Sequence, residues 1–62
     1  MPPGTHGQLR EGAAVWWREP GGEWRKGTFD SWRRSDNRAR VLYLGDAGTT
    51  LTSVGREDIR RR

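Results

Sequence analysis

Turn-forming clusters cut this chain into segments of five to nine residues, and none of these is long enough for a helix with an apolar stripe of ten residues or more. Glu19-Pro20-Gly21-Gly22 is the clearest break, because proline fixes φ and the two glycines admit positive φ. Ser35-Asp36-Asn37, Gly45-Asp46-Ala47-Gly48 and Gly55-Arg56-Glu57-Asp58 follow it. The segments between them read as strands: 13–17, 24–32, 40–44 and 49–54, with Ile59-Arg60 as a candidate fifth. Arg40-Val41-Leu42-Tyr43-Leu44 is the strongest of these, and Gly27 inside the second marks a bend or a close backbone approach. In so few residues this pattern predicts an all-β fold, a small barrel of four to five antiparallel strands. Residues 1–8, rich in Pro, Gly and small polar side chains, read as a flexible leader; 9–60 form the barrel, and Arg61-Arg62 a basic tail at its boundary.

A chain of 62 residues buries only about 60% of the surface its unfolded form exposes, so the core must be small and aromatic. Four Trp supply much of it, each with roughly 150–250 Å² to bury. The absence of Cys removes disulfides and thiolate metal sites, and the one His, His6, has no second ligand near it, so neither a metal nor another cofactor is expected. No apolar run approaches the ~18–20 residues of a membrane span. Catalysis is equally poorly provided for, with no Cys nucleophile, no Ser/His/Asp set and no spaced carboxylate pair. The expectation is a binding module of a larger protein, not an enzyme.

Period-two alternation assigns the faces. With Val15 and Phe29 inward, Trp17 and Gly27 also turn inward, while Trp16, Trp24 and Thr28 turn outward. Trp16 then neighbours Trp24 across the first hairpin, and a slip of one residue sets Trp17 opposite Trp24 instead. That pair either staples the hairpin or forms an exposed aromatic platform. Trp32, at the end of its strand, either caps the barrel or stacks on a ligand.

Four landmarks resemble the Tudor family of SH3-like barrels over roughly residues 9–60. Leu9-Arg10-Glu11-Gly12-Ala13-Ala14-Val15 is similar to its opening hydrophobic-x-x-Gly-x-x-Val, and Trp24-Arg25-Lys26-Gly27-Thr28-Phe29 to its second strand. Val41 to Gly48 resembles the third strand with its aromatic-x-Asp-x-Gly turn, and Val54 through Asp58-Ile59-Arg60 the closing Val…Asp-Leu-Arg. Gly12-Ala13-Ala14-Val15-Trp16 and Trp24-Arg25-Lys26-Gly27 also resemble, less completely, the SH3-like DNA-binding domain at the C-terminus of retroviral and retrotransposon integrases.

The Tudor resemblance implies a nuclear, chromatin- or transcription-associated setting and an aromatic cage for methylated Lys or Arg, read by cation–π attraction. Counted from Gly12, the cage positions fall at Glu19, Arg25 and Asp46 or Ala47, and only Tyr43 keeps an aromatic. Aligning the hairpin by its tryptophans instead gives three walls, Trp17, Trp24 and Tyr43, with Asp46 or Glu19 as the carboxylate. A histone tail is itself basic, so Glu19, Glu23 and Asp46 would have to offset the chain's net charge of +4.

Eleven of the twelve cations are Arg, which points to phosphates or acidic partners. Arg25, Lys26, Arg33, Arg34, Arg38 and Arg40 cluster on the second strand, the turn after it and the third strand, interleaved with Trp24 and Trp32. The expected partner is therefore DNA or other nucleic acid, contacted through the backbone with salt-sensitive, sequence-independent affinity. A methylated peptide or histone tail is the second expectation. Docking of other chromatin proteins on a strand edge or on the Trp16/Trp24 face is the third.

Overall fold

The computed structural model describes residues 9–62, so the expected flexible leader, with His6, lies outside the described residues. Five antiparallel strands form one curled sheet, β1 (Ala14–Arg18), β2 (Trp24–Arg33), β3 (Arg38–Gly45), β4 (Gly48–Gly55) and β5 (Ile59–Arg61). Their order across the sheet is β4-β3-β2-β1-β5, the arrangement of a small SH3-like barrel. A single 3₁₀ turn, Arg56–Asp58, separates β4 from β5.

The first hairpin is set by its loop. Gly22 N–H donates to Glu19 C=O and Glu19 N–H donates to Glu23 C=O, both at 2.8 Å, and Gly22 sits at φ +95°. Pro20 and Gly21 thus make the turn, and a left-handed Gly22 adds a third loop residue before the strand resumes. This extra residue fixes the register at Arg18↔Trp24, Trp17↔Arg25 and Trp16↔Lys26. Neither expected pairing forms: Trp24 faces Arg18, not Trp16 or Trp17.

The predicted faces of β1 and β2 are observed, with Val15, Trp17, Gly27 and Phe29 buried inside and Trp16, Trp24 and Thr28 on the outer side. Leu9, Ala39, Val41, Val54 and Ile59 complete the core. β2 serves both halves of the barrel. Thr28 faces Ala14 on one side and Leu42 on the other, and a register shift between Phe29 and Ser31 reverses the phase of alternation beyond it. That shift brings Trp32 opposite Ala39 and packs its ring 5.5 Å from Phe29. Trp32 caps the barrel.

The C-terminal arginines are part of the barrel, not a tail beyond it. Arg61 pairs with Val15 in β5, and Arg62 N–H donates to Ala14 C=O at 3.0 Å.

Candidate functional site

Apart from Phe29 and Trp32, the aromatic residues divide between two places, the barrel mouth and the outer face of β2-β1-β5. At the mouth, Trp17 is 4% exposed and stacks at a tilt against Tyr43, with 4.8 Å between ring centroids. Arg25, opposite Trp17 on β2, lays its guanidinium over both rings, 5.1 Å from Tyr43 and 5.8 Å from Trp17. Glu19 holds it there through an Arg25 Nη1 to Glu19 Oε1 hydrogen bond of 2.8 Å. That bond raises the guanidinium's pKa above its ordinary value, with the nearby Tyr43 and Asp46 adding to the shift.

The three-walled cage expected from Trp17, Trp24 and Tyr43 does not assemble. Trp24 lies on the outer face opposite Arg18, so two walls remain, and the chain's own Arg25 occupies the position of a methylated cation. Replacing Arg25 by Ala is expected to free this seat while leaving Glu19 as counter-charge. Tetramethylammonium or a trimethyllysine peptide should then perturb the Trp17 and Tyr43 signals of the variant and leave those of the native chain unmoved. Equal perturbation of the native chain would show that Arg25 does not block the seat.

The outer face carries a different arrangement. Trp24 lies between Arg18, 5.3 Å from its ring centroid, and Arg60 at 5.9 Å; Trp16 lies between Lys26 and Arg62, each at 5.9 Å. Four cations from three adjacent strands and the residue following β5 thus alternate with two half-buried indoles. Strand pairing produces this interleaving, since Trp16 faces both Lys26 on β2 and Arg60 on β5.

The cations are not equivalent. Arg18 donates from Nε and Nη2 to Asp58 Oδ1, the Nε bond being 2.9 Å, so it ties the 3₁₀ turn to β1 and spends its charge on a carboxylate. Among the described residues Arg60 and Arg62 reach backbone oxygens, of Glu57 and Ile59 and of Gly27 respectively. Their charge is left uncompensated by any carboxylate bond, as is that of Lys26 among the described residues. Contact with an indole restricts each long side chain, and Arg60 is held further by its bonds back to the Glu57 and Ile59 carbonyls, which lowers the rotamer entropy lost when they meet a ligand.

The six cations expected to form one cluster are dispersed. Arg25 is at the mouth; Arg33 pairs with Asp36 at 2.9 Å in the β2–β3 turn that also contains Arg34; Arg38 donates to the Ser53 hydroxyl and carbonyl on β4. Arg40 is exposed on β3 opposite Ser31 and Ser53. Only Lys26 joins the Trp16/Trp24 face, whose other cations come from the chain's end and from Arg18. Arg60 falls in the fifth strand that the sequence offers, but nothing in the sequence sets it or Arg62 beside Trp16 and Trp24, and Arg62 is legible only as charge. Trp32 stays with the core, beneath an Arg56 guanidinium 5.7 Å from its ring, and Asp46 sits in the exposed β3–β4 turn.

No protein-family model matches the chain, and neither a curated protein nor a solved structure matches it.

Proposed function

We propose that this domain is a non-catalytic, Tudor-like binding module of a nuclear, chromatin- or transcription-associated protein, contacting DNA phosphates through its Arg/Trp face and assisting neighbouring domains. The observation that carries the contact is the alternation of Lys26, Arg60 and Arg62 with Trp16 and Trp24 on one exposed face. The Tudor-like kinship and the nuclear setting rest on the sequence landmarks alone.

The chemistry follows from what these groups offer. Arg60 and Arg62 are two residues apart, about 6.6 Å along an extended backbone. Lys26 adds a compact charge across the sheet. Because cations already cover the indole faces, the tryptophans act as supports for them and not as platforms for bases. The face has no element shaped to enter a groove and read base edges, so binding is expected to depend on charge and not on sequence.

Titrating the isotopically labelled chain with a short DNA duplex at two salt concentrations tests this. The signals of Lys26, Arg60 and Arg62 and the indole N–H groups of Trp16 and Trp24 are expected to move together at low salt and to return as salt is added. Shifts confined to the β2–β3 turn, or shifts indifferent to salt, would refute the assignment.

A further inference from the structure

The two edges of the sheet are protected very differently. β5 has three residues, two of them Arg, and is a poor template for another strand. β4 has eight residues, Gly-Thr-Thr-Leu-Thr-Ser-Val-Gly, with no charge and no proline. Every other strand contains at least one Arg. β4 also borders the most exposed large apolar side chains, Leu44 at 77% and its own Leu51 at 49%.

Which peptide groups lie on that open edge follows from the registers. Phe29 N–H donates to Ala13 C=O on the β1 side, so Thr28 turns its peptide groups toward β3, where it faces Leu42. Leu42 therefore points away from β4, and its neighbours Val41 and Tyr43 hold β4 through Thr52 and Thr50. The same alternation directs the N–H and C=O of Thr49, Leu51 and Ser53 outward. Arg38 Nη2 donates to one of them, the Ser53 carbonyl, at 3.0 Å.

We infer that β4 pairs with β4 of a second copy of this chain, antiparallel about a two-fold axis at Leu51. In that register Leu51 faces its counterpart and Thr49 faces Ser53, so all the outward groups meet outward groups. The flanking charges select the same register. Within β4 position i faces position 102 − i, and at each end of the paired strands the β3–β4 turn of one copy, with Asp46, comes beside the 3₁₀ turn of the other, with Arg56, placing opposite charges at the two ends of an uncharged strand. The exposed leucines of both copies then form one strip across the junction. Such a contact buries less surface than a stable dimer needs, so the association is weak and concentration-dependent.

Sedimentation equilibrium of the full chain over a wide concentration range, with Asp46→Arg and Arg56→Asp variants, tests the register as well as the dimer. Each single variant faces itself with like charges and is expected to lose at least fivefold in self-association. Mixing the two singles, or combining both changes in one chain, restores opposite charges at both ends and should recover it. Amide exchange at Thr49, Leu51 and Ser53 should slow as concentration rises, with the rest of the sheet unchanged. A chain that remains monomeric at all concentrations overturns the inference. So does a dimer whose strength ignores both single variants, or one that the mixture fails to restore.

Discussion

Gly27→Ala is expected to destabilise the domain by about 1–3 kcal/mol, the usual penalty of overpacking a well-filled interior. A Cβ at this position would lie 2.6 Å from Val41 Cγ1, 2.9 Å from Trp17 Cδ1 and 3.0 Å from the Leu42 carbonyl oxygen. Two of these neighbours are core side chains pinned on every side and the third is backbone, so none has an inexpensive way to retreat. A barrel of this size rarely holds more than about 3–5 kcal/mol in total, and each kcal/mol moves its midpoint by about 4–8 °C. Thermal unfolding followed by near-ultraviolet circular dichroism should therefore show a midpoint lower by roughly 4–24 °C. The matched exposed substitution Gly21→Ala, where an added Cβ meets nothing within 4 Å, serves as the control. A Gly27→Ala midpoint equal to that of Gly21→Ala would mean that the barrel relaxes around the methyl group.

That glycine also shows what a sequence of this kind discloses. A glycine inside a strand otherwise rich in Trp, Thr and Phe already signals close approach, and alternation from Val15 and Phe29 correctly turns Trp17 inward and Trp16 outward. These are local properties. The register of the first hairpin is not local, because Pro-Gly-Gly is compatible with loops of different length, and the left-handed Gly22 decides among them. The shift after Phe29 leaves no residue signature either, and it reverses the orientation of everything from Ser31 to Arg33. For this reason the cations that looked clustered along the chain scatter in space, while Lys26 meets Arg60 and Arg62 from more than thirty residues away. The seating of Arg25 over Trp17 and Tyr43 is likewise a consequence of register, since Trp17↔Arg25 pairing puts a long cation beside the very ring expected to receive one from a ligand.

The dispersal of the cations makes the nucleic-acid reading sharply testable by substitution. Neutralising Lys26, Arg60 and Arg62 together to Gln is expected to weaken duplex binding on the order of 100-fold at low salt and to reduce the slope of log K against log[salt] by about 2.7, near 0.9 for each phosphate no longer neutralised. Folding should persist, because none of the three makes a bond to a carboxylate and their side-chain hydrogen bonds reach only backbone oxygens. Neutralising Arg33 and Arg34 removes two charges from the β2–β3 turn, outside the Trp16/Trp24 face, and should leave the slope nearly unchanged. The comparison matters because net charge alone predicts otherwise. If affinity tracked total charge, the double variant would lose about two-thirds of what the triple variant loses. A flat response to Arg33/Arg34 beside a steep one to Lys26/Arg60/Arg62 locates the phosphate path on the face where the cations lie against Trp16 and Trp24. Equal losses per charge would reduce the interaction to a diffuse attraction with no site.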